Sequence, residues 1–541
     1  MGSIRSTNPQ NADLCLRGSS DQLKMVQEKP SQNSILPTNS TTSNRAWAFF
    51  RVDTAGESGR SGIHPWYLLK VCFRSVCTLS MVVNILWPFV PAAIVIHFAR
   101  PDLHVWVFSL NYIAMVPSAN VLGFAGGELA KKLPKMMGIV VETTLGAVVE
   151  LVLFMVLLHK HGRTENSDLI PVIQAAILGS ILANLLLCLG MCFFVGGIKR
   201  DEQTFHEAIS EVGTGLLLVA GFGLLIPSAF YSALRGSVNE HFKLAQLNDS
   251  ALTISRATSV ILLVAFLIYL FFNLHSHNSI FDEILEKDEH HDEDRHEEAA
   301  RAKLTMMECF VVIAVALACV CMSAVFLVQE IEHIVERGIS DNFLGLILVP
   351  LVEKAAEHLT AIDEAWDNQI NFALFHCLAP SIQTALLNAP LTVIVGWGMG
   401  KDMSLNFEIF MVVLLVLSIL VVGNFLRDGK SNYLEGALCV LVYFIIAVCT
   451  CVFDSQMSRI LHITDDGQRV NNCLNIRQHL ASQIRPHNGG LRTQGFVHQH
   501  LCINTQLEVG QETEADLEFR QFLFTDSTDL RNPAMWIAQV L

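Results

Sequence analysis

Glu150 and Glu357 are the residues best placed to do chemistry, because each is a carboxylate set in an otherwise apolar stretch. The two stretches resemble one another: GIVVETTLGAVVEL from Gly138 aligns with GLILVPLVEKAAEHL from Gly345, and both glutamates fall twelve residues after the leading glycine. Gln174 in QAAIL and Gln383 in QTALL follow 24 and 26 residues later. A carboxylate deep in hydrocarbon costs about 2.5 to 3.5 kcal/mol even on lenient insertion scales, so it normally faces a partner or a water-filled cavity. Paired glutamates with both amides beside them, and with Ser180, Asn184 and Ser381 adding oxygens, make a doubly negative, all-oxygen site. Such a site suits a hard cation like Ca²⁺ and not a thiolate-loving metal. The same pair also takes protons, so two protons and one divalent cation compete for it. Competition at one alternately exposed site is antiport.

Each of these residues has a plainer role open to it. A single Glu or Gln in an apolar span can be a helix-packing hydrogen bond, and small polar residues pack helices as readily as they bind ions. Matched positions in two repeats favour ligands for the glutamates. His358, next to Glu357, is a ligand, a proton carrier or a bonded core histidine.

Positioning such pairs takes long apolar elements, and the chain is built of them. Of its 541 residues 52% are hydrophobic and only 16% charged, with a mean hydropathy of +0.43, whereas a soluble domain carries about 25% charged residues. The apolar residues are gathered into runs of roughly 20, the length that crosses about 30 Å of hydrocarbon. Six spans, at 76–98, 105–126, 138–158, 169–196, 213–234 and 251–273, precede a dense acidic cluster between Asp282 and Glu298. Five follow, at 306–328, 343–361, 371–398, 406–426 and 433–453. The expected fold is therefore an all-α polytopic membrane protein of about eleven transmembrane helices. With the N-terminus inside, connections on the cytosolic side hold Lys131, Lys132, Lys135, Lys199, Arg200, Arg301, Lys303, Arg427 and Lys430, among others, and those opposite hold fewer basic residues. Spans two to six and seven to eleven form two units of five. Five is odd, so the second unit enters the membrane from the opposite side, and a leading helix plus two inverted repeats results.

The expected organisation is a disordered cytosolic tail over 1–64, the leading helix and first repeat over 65–274, an acidic cytosolic linker over 275–305, the second repeat over 306–453 and a polar tail over 454–541. The sequon at Asn39 would matter only in a luminal tail. The last segment reads equally as disorder, a lineage-specific extension or translated intron. The formal net charge of −15 lies mostly outside the spans and leaves no basic patch for nucleic acid. The fourteen cysteines include no CxxC pair and read as small buried hydrophobes. No HExxH, P-loop or GxSxG motif points to an enzyme, and no cofactor is expected beyond Ca²⁺ and H⁺ as transported ions. Sequence leaves the oligomeric state open.

At the level of longer motifs the chain resembles the calcium/proton exchanger family of the calcium/cation antiporter superfamily, most of all its fungal vacuolar members. QAAILGSILANLLLCLGMCFFVGGIKRDEQTF from Gln174 is similar to that family's third-helix signature and its exit. PLVEKAAEHLTAI from Pro350 and SIQTALLNAPLTVIVGW from Ser381 resemble its second-repeat signatures, and DGKSNYLEGAL from Asp428 resembles the last-helix entry. The resemblance covers roughly residues 65 to 453. It implies a proton-coupled antiporter of the vacuolar membrane that removes cytosolic Ca²⁺ or a similar divalent ion.

The site motifs depart from that pattern. Where the family reads GNAxEL and GNAAEH, this chain has Gly146, Ala147, Val148, Val149 and Glu150, then Glu353, Lys354, Ala355, Ala356, Glu357 and His358. Both asparagines are gone, and a further asparagine usual upstream is here Glu142, about two helical turns from Glu150. Glu353, Lys354 and Glu357 are spaced to share one helix face. Glu142, Glu353, Lys354 and His358 are thus expected to modulate the site. Lys354 opens a second reading, a transport-inactive or regulatory membrane protein whose cation site the lysine blocks, and a third, antiport of a different ion. The linker FDEILEKDEHHDEDRHEEAARAKL from Phe281 is similar to the family's acidic loop and reads mainly as a solvated connection, with loose cation binding through His290, His291 and His296 as the alternative. EIEHIVE from Glu330 reads as an amphipathic interface turn rather than a metal site.

Overall fold

In hydrocarbon a chain satisfies its backbone groups by coiling into helices, and the computed structural model is helical almost throughout. It describes residues 65–74, 78–161, 169–235, 244–291, 303–335, 337 and 339–451. The expectations for 1–64, the sequon, the polar tail over 454–541 and linker residues 292–302 lie outside the described residues. A short helix, α1 (Pro65–Arg74), precedes α2 (Ser80–Ala99), α3 (His104–Ala130), α4 (Lys135–Lys160), α5 (Ile170–Lys199), α6 (Glu207–Arg235) and α7 (Leu244–Ser276). After the linker helix α8 (Asn278–His291) come α9 (Met306–Val335), α10 (Leu344–Glu353), α11 (Ala355–Trp366), α12 (Ile370–Gly398), α13 (Ile409–Asp428) and α14 (Tyr433–Cys451).

Ten of these, α2 to α7, α9 and α12 to α14, are long and apolar enough to cross a membrane. The eighth expected span, 343–361, is instead two pieces. α10 and α11 meet at Lys354, whose backbone (φ −90°, ψ −2°) departs from helical geometry. This is where Glu353, Lys354 and Glu357 crowd three charges into an apolar segment, and the break is the feature that the periodicity of the run did not convey.

The inverted arrangement of the halves is visible in what caps what. At one end of α3 the Glu128 carboxylate accepts the Leu304 N–H, just before α9 begins (3.2 Å). At the other end His104, the first residue of α3, meets Glu330 near the end of α9 (2.7 Å). The leading helices of the two repeats therefore run antiparallel. Small residues let α5 and α10 touch backbone to backbone: a Cβ on Gly179 would strike the Leu346 carbonyl, and one on Gly345 would sit 2.8 Å from the Val172 carbonyl oxygen. A two-residue antiparallel pairing of β1 (Gln203–Thr204) with β2 (Lys430–Ser431) ties the exits of α5 and α13 together.

The first half of the acidic linker is not a solvated connection. It folds as α8, and its acidic residues satisfy N–H groups that open other helices. Asp288, 6% exposed, accepts the backbone N–H of Asn371 (2.8 Å) and Phe372 (3.2 Å) at the start of α12. Asp282 accepts the Met136 N–H at the start of α4 (3.2 Å), and Glu289 pairs with Lys135 (2.9 Å). Burial holds the Asp288 carboxyl above the usual carboxylate range despite these donors. The His291 ring faces its own helix, at 2.8 Å from the Lys287 carbonyl.

Candidate functional site

Glu150 on α4 and Glu357 on α11 come together between the repeats, with the Lys354 side chain lying between them. The Lys354 Nζ is 3.5 Å from Glu357 Oε2 and 3.8 Å from Glu150 Oε2, and Lys354 and Glu150 are each only 1% exposed. Glu150 is further held by two donors from α12, Thr384 Oγ1 and Asn388 Nδ2, each at 2.7 Å. Glu357 lies against Gly146, where a Cβ would collide with the Glu357 carboxylate. The glycine at 146 therefore has a local reason: only a hydrogen side chain lets α4 approach α11 so closely.

The remaining candidates divide. Gln383 donates to Thr143 Oγ1 (2.7 Å), a residue that lines a cavity together with Glu357. Ser180 contacts Thr384 (3.4 Å), one bond from Glu150. Asn184 Oδ1 is 3.0 Å from the His358 Nε2, so both lie in the same buried layer and His358 is a bonded histidine there. Ser381 donates to the Cys377 carbonyl one turn back and serves its own helix (2.9 Å). Gln174 is elsewhere: its amide donates to the Ser404 carbonyl near the start of α5 (2.9 Å). The two helices themselves explain this correction. Both contain a π-helical stretch, Ala183–Cys188 in α5 and Thr384–Asn388 in α12, and each begins three residues after a serine, Ser180 or Ser381. Those serines are the equivalent positions of the repeats. Gln174 and Gln383 match only as short apolar strings, and counting from the two serines sets Leu182, not Gln174, against Gln383.

Several buried acceptor oxygens on these residues have no donor among the described residues: Glu150 Oε1, Glu353 Oε1, Gln383 Oε1 and Asn388 Oδ1. Buried oxygens with no donor are what a cation satisfies. Glu353 and Glu357 also line a cavity of about 40 Å³, room for a few waters, shared with Glu142, Thr143 and His376. Formally, three carboxylates, Glu150, Glu353 and Glu357, stand against one ammonium. Glu353 thus restores the double negative charge that Lys354 would otherwise halve.

Sequence reasoning missed four residues here. Thr384 and Asn388 are each a polar residue in an apolar run, a signal that could have found them. Glu364 and His376 form a second, part-buried group on the linker side, where His376 Nδ1 meets Glu364 (2.7 Å) and Nε2 lies 3.6 Å from Glu142. Glu142 accordingly pairs with His376 rather than with Glu150. Nearby, Cys188, Cys192 and Cys377 pack together, with the Cys377 sulfur 3.4 Å from that of Cys188 and 3.9 Å from that of Cys192.

A family model described as sodium/calcium exchanger protein matches residues 103–275 and 309–452, the two repeats without the linker between them. The chain belongs to this exchanger family. Among curated relatives, a vacuolar cation/proton exchanger 5 of Arabidopsis thaliana is 34% identical over 377 residues, 69% of this chain and 81% of that one. A vacuolar calcium ion transporter of Schizosaccharomyces pombe is 31% identical over 372 residues, 68% of this chain and 84% of that one. Of solved structures, that of a selenium-substituted Ca²⁺/H⁺ antiporter protein, YfkE, superposes with a TM-score of 0.53 at 24% identity, covering 69% of this chain and 99% of that one. That match shows a shared all-α membrane fold.

Proposed function

We propose that this exchanger moves Ca²⁺, or another divalent cation, from the cytosol into the vacuole in exchange for H⁺. The observation that carries the reading is the convergence of Glu150, Glu353 and Glu357 with donor-free oxygens of Gln383 and Asn388 at the repeat interface. Oxygen donors around a net double negative charge fit a hard divalent ion. Inverted repeats around such a midplane site provide alternating access by rocking of one unit against the other. The vacuolar relatives support the compartment and the proton coupling.

One contact favours a second reading. The Lys354 ammonium occupies the space between Glu150 and Glu357, so a cation has to displace it, and a protein in which it cannot be displaced is a transport-inactive, regulatory form of the fold. Proton-gradient-driven uptake of radiolabelled Ca²⁺ into vesicles carrying the full chain separates the two. Uptake that collapses with the gradient supports antiport, whereas correctly inserted protein without uptake supports the regulatory reading. Competition by Mn²⁺, Na⁺ or K⁺ tests whether another ion is preferred.

A further inference from the structure

His104, Glu330 and His333 meet at the face of the membrane domain opposite the linker. His104 opens α3, while Glu330 and His333 are three apart near the end of α9 and so share one helix face. Their ligand atoms all lie within 4.8 Å of one another. His104 Nδ1 is 2.7 Å from Glu330 Oε2, and the His104 and His333 rings lie 3.8 Å apart, centroid to centroid. We propose that these three side chains form a binding site for a borderline divalent transition metal of the Zn²⁺ class, which clamps the first helix of one repeat to the first helix of the other.

The chemistry differs from that of the carboxylate core. Two imidazoles and one carboxylate are a recurrent zinc ligand set, whereas Ca²⁺ takes six to eight oxygens. Around a tetrahedral metal with ligand distances of about 2.0 to 2.2 Å, ligand atoms stand roughly 3.3 to 3.6 Å apart. The present separations reach that spacing with side-chain shifts of about an ångström. The Glu330 side chain is 8% exposed and that of His104 32%, so the carboxylate is held in place while one side of the site stays open, leaving a position for a fourth ligand. Lys160, close by on α4, is paired with Glu332 (3.5 Å) and bonded to the Gln329 carbonyl (3.0 Å). The stretch from Glu330 looks like an interface turn because its third ligand comes from 226 residues earlier in the chain.

Because α3 and α9 lead opposite repeats, a metal bridging them ties the repeats together at this face, and its binding does not depend on the exchanger reading. The test is titration of the purified full chain with Zn²⁺, read as a rise in thermal stability, and with Co²⁺, read by the visible absorption of a low-symmetry nitrogen–oxygen site. His104→Ala and His333→Asn are each expected to weaken binding by at least the roughly tenfold that loss of even an outer-shell partner costs, and to remove the Co²⁺ spectrum. Glu357→Gln should leave both intact, and Ca²⁺ should not reproduce them. Unchanged Zn²⁺ binding in both histidine variants overturns the proposal, as does binding that disappears in Glu357→Gln, which would put the metal in the carboxylate core. Glu330→Gln, which preserves a hydrogen bond to His104, separates lost metal binding from lost folding: wild-type stability without Zn²⁺ combined with wild-type Zn²⁺ affinity also counts against the site.

Discussion

The Lys354 ammonium lies 3.8 Å from the Glu150 carboxylate, joining an amine of the second repeat to an acid of the first. At an effective dielectric near ~20, a pair about 4 Å apart attracts by roughly 4 kcal/mol before desolvation. A divalent cation at Glu150 competes against that attraction. Lys354→Asn is therefore expected to raise Ca²⁺ affinity, or to create Ca²⁺ uptake where none is measurable. Strong uptake by the native protein that falls in Lys354→Asn would instead make the lysine a working part of the site.

Glu353 supplies the charge that offsets the lysine. Removing it alone should leave one net negative charge in place of two, so Glu353→Gln is expected to raise the Ca²⁺ KM by tenfold or more, while the double variant with Lys354→Asn recovers most of the loss. The double variant restores the native net charge, and uptake measured across a Ca²⁺ series reads the recovery directly. A double variant that stays as weak as Glu353→Gln alone would show that Glu353 acts through structure.

Glu150→Gln and Glu357→Gln keep shape and remove charge, and each should abolish exchange with expression and thermal stability largely retained. Gln174→Ala, by contrast, should leave Ca²⁺ KM near the native value because Gln174 is bonded to the Ser404 carbonyl. Transport surviving in either glutamate variant would remove that residue from the site.

Gly146→Ala places a methyl group against the Glu357 carboxylate. Overpacking a tight contact costs about 1 to 3 kcal/mol, and the displaced carboxylate should lower cation affinity as well. Thermal unfolding and uptake on the same preparation test both; native values in the two measurements would mean that α4 and α11 are further apart in the working protein.

The linker divides into two parts with different expectations. Replacing Asp292, Glu293 and Asp294 by Ser should leave maximal transport nearly unchanged. Asp288→Ala should destabilise by about 1 to 2 kcal/mol, since α12 loses the acceptor for its first N–H groups. Burial raises the folded-state pKa of Asp288, so the neutral form favours folding. Its contribution is complete below the unfolded pKa and is lost as pH rises through the folded one. Asp288→Asn keeps an oxygen without the charge and should be both more stable than Asp288→Ala and free of that pH-dependent loss.

Much was legible in the sequence because hydrocarbon imposes simple rules. Runs of about twenty apolar residues became helices, an odd number per half inverted the second repeat, and Glu150 and Glu357 stood out as charges that hydrocarbon tolerates only beside a partner. What linear order could not carry was register and distance. Gln174 and Gln383 match as five-residue strings, yet one amide bonds the Ser404 carbonyl and the other the Thr143 hydroxyl, and the π-helical turns after Ser180 and Ser381 are visible only in coordinates. Spacing put Lys354 on the face of Glu357, but only the structure sets its ammonium between Glu357 and the Glu150 of the other repeat. Thr384, Asn388, His376 and Glu364 found their partners only once α12 packed on α4 and α11. The residue types and the helical period determined the membrane fold; which polar groups meet within about 3 Å depended on how the two repeats dock, and docking is a property of packed surfaces and not of spacing along one chain.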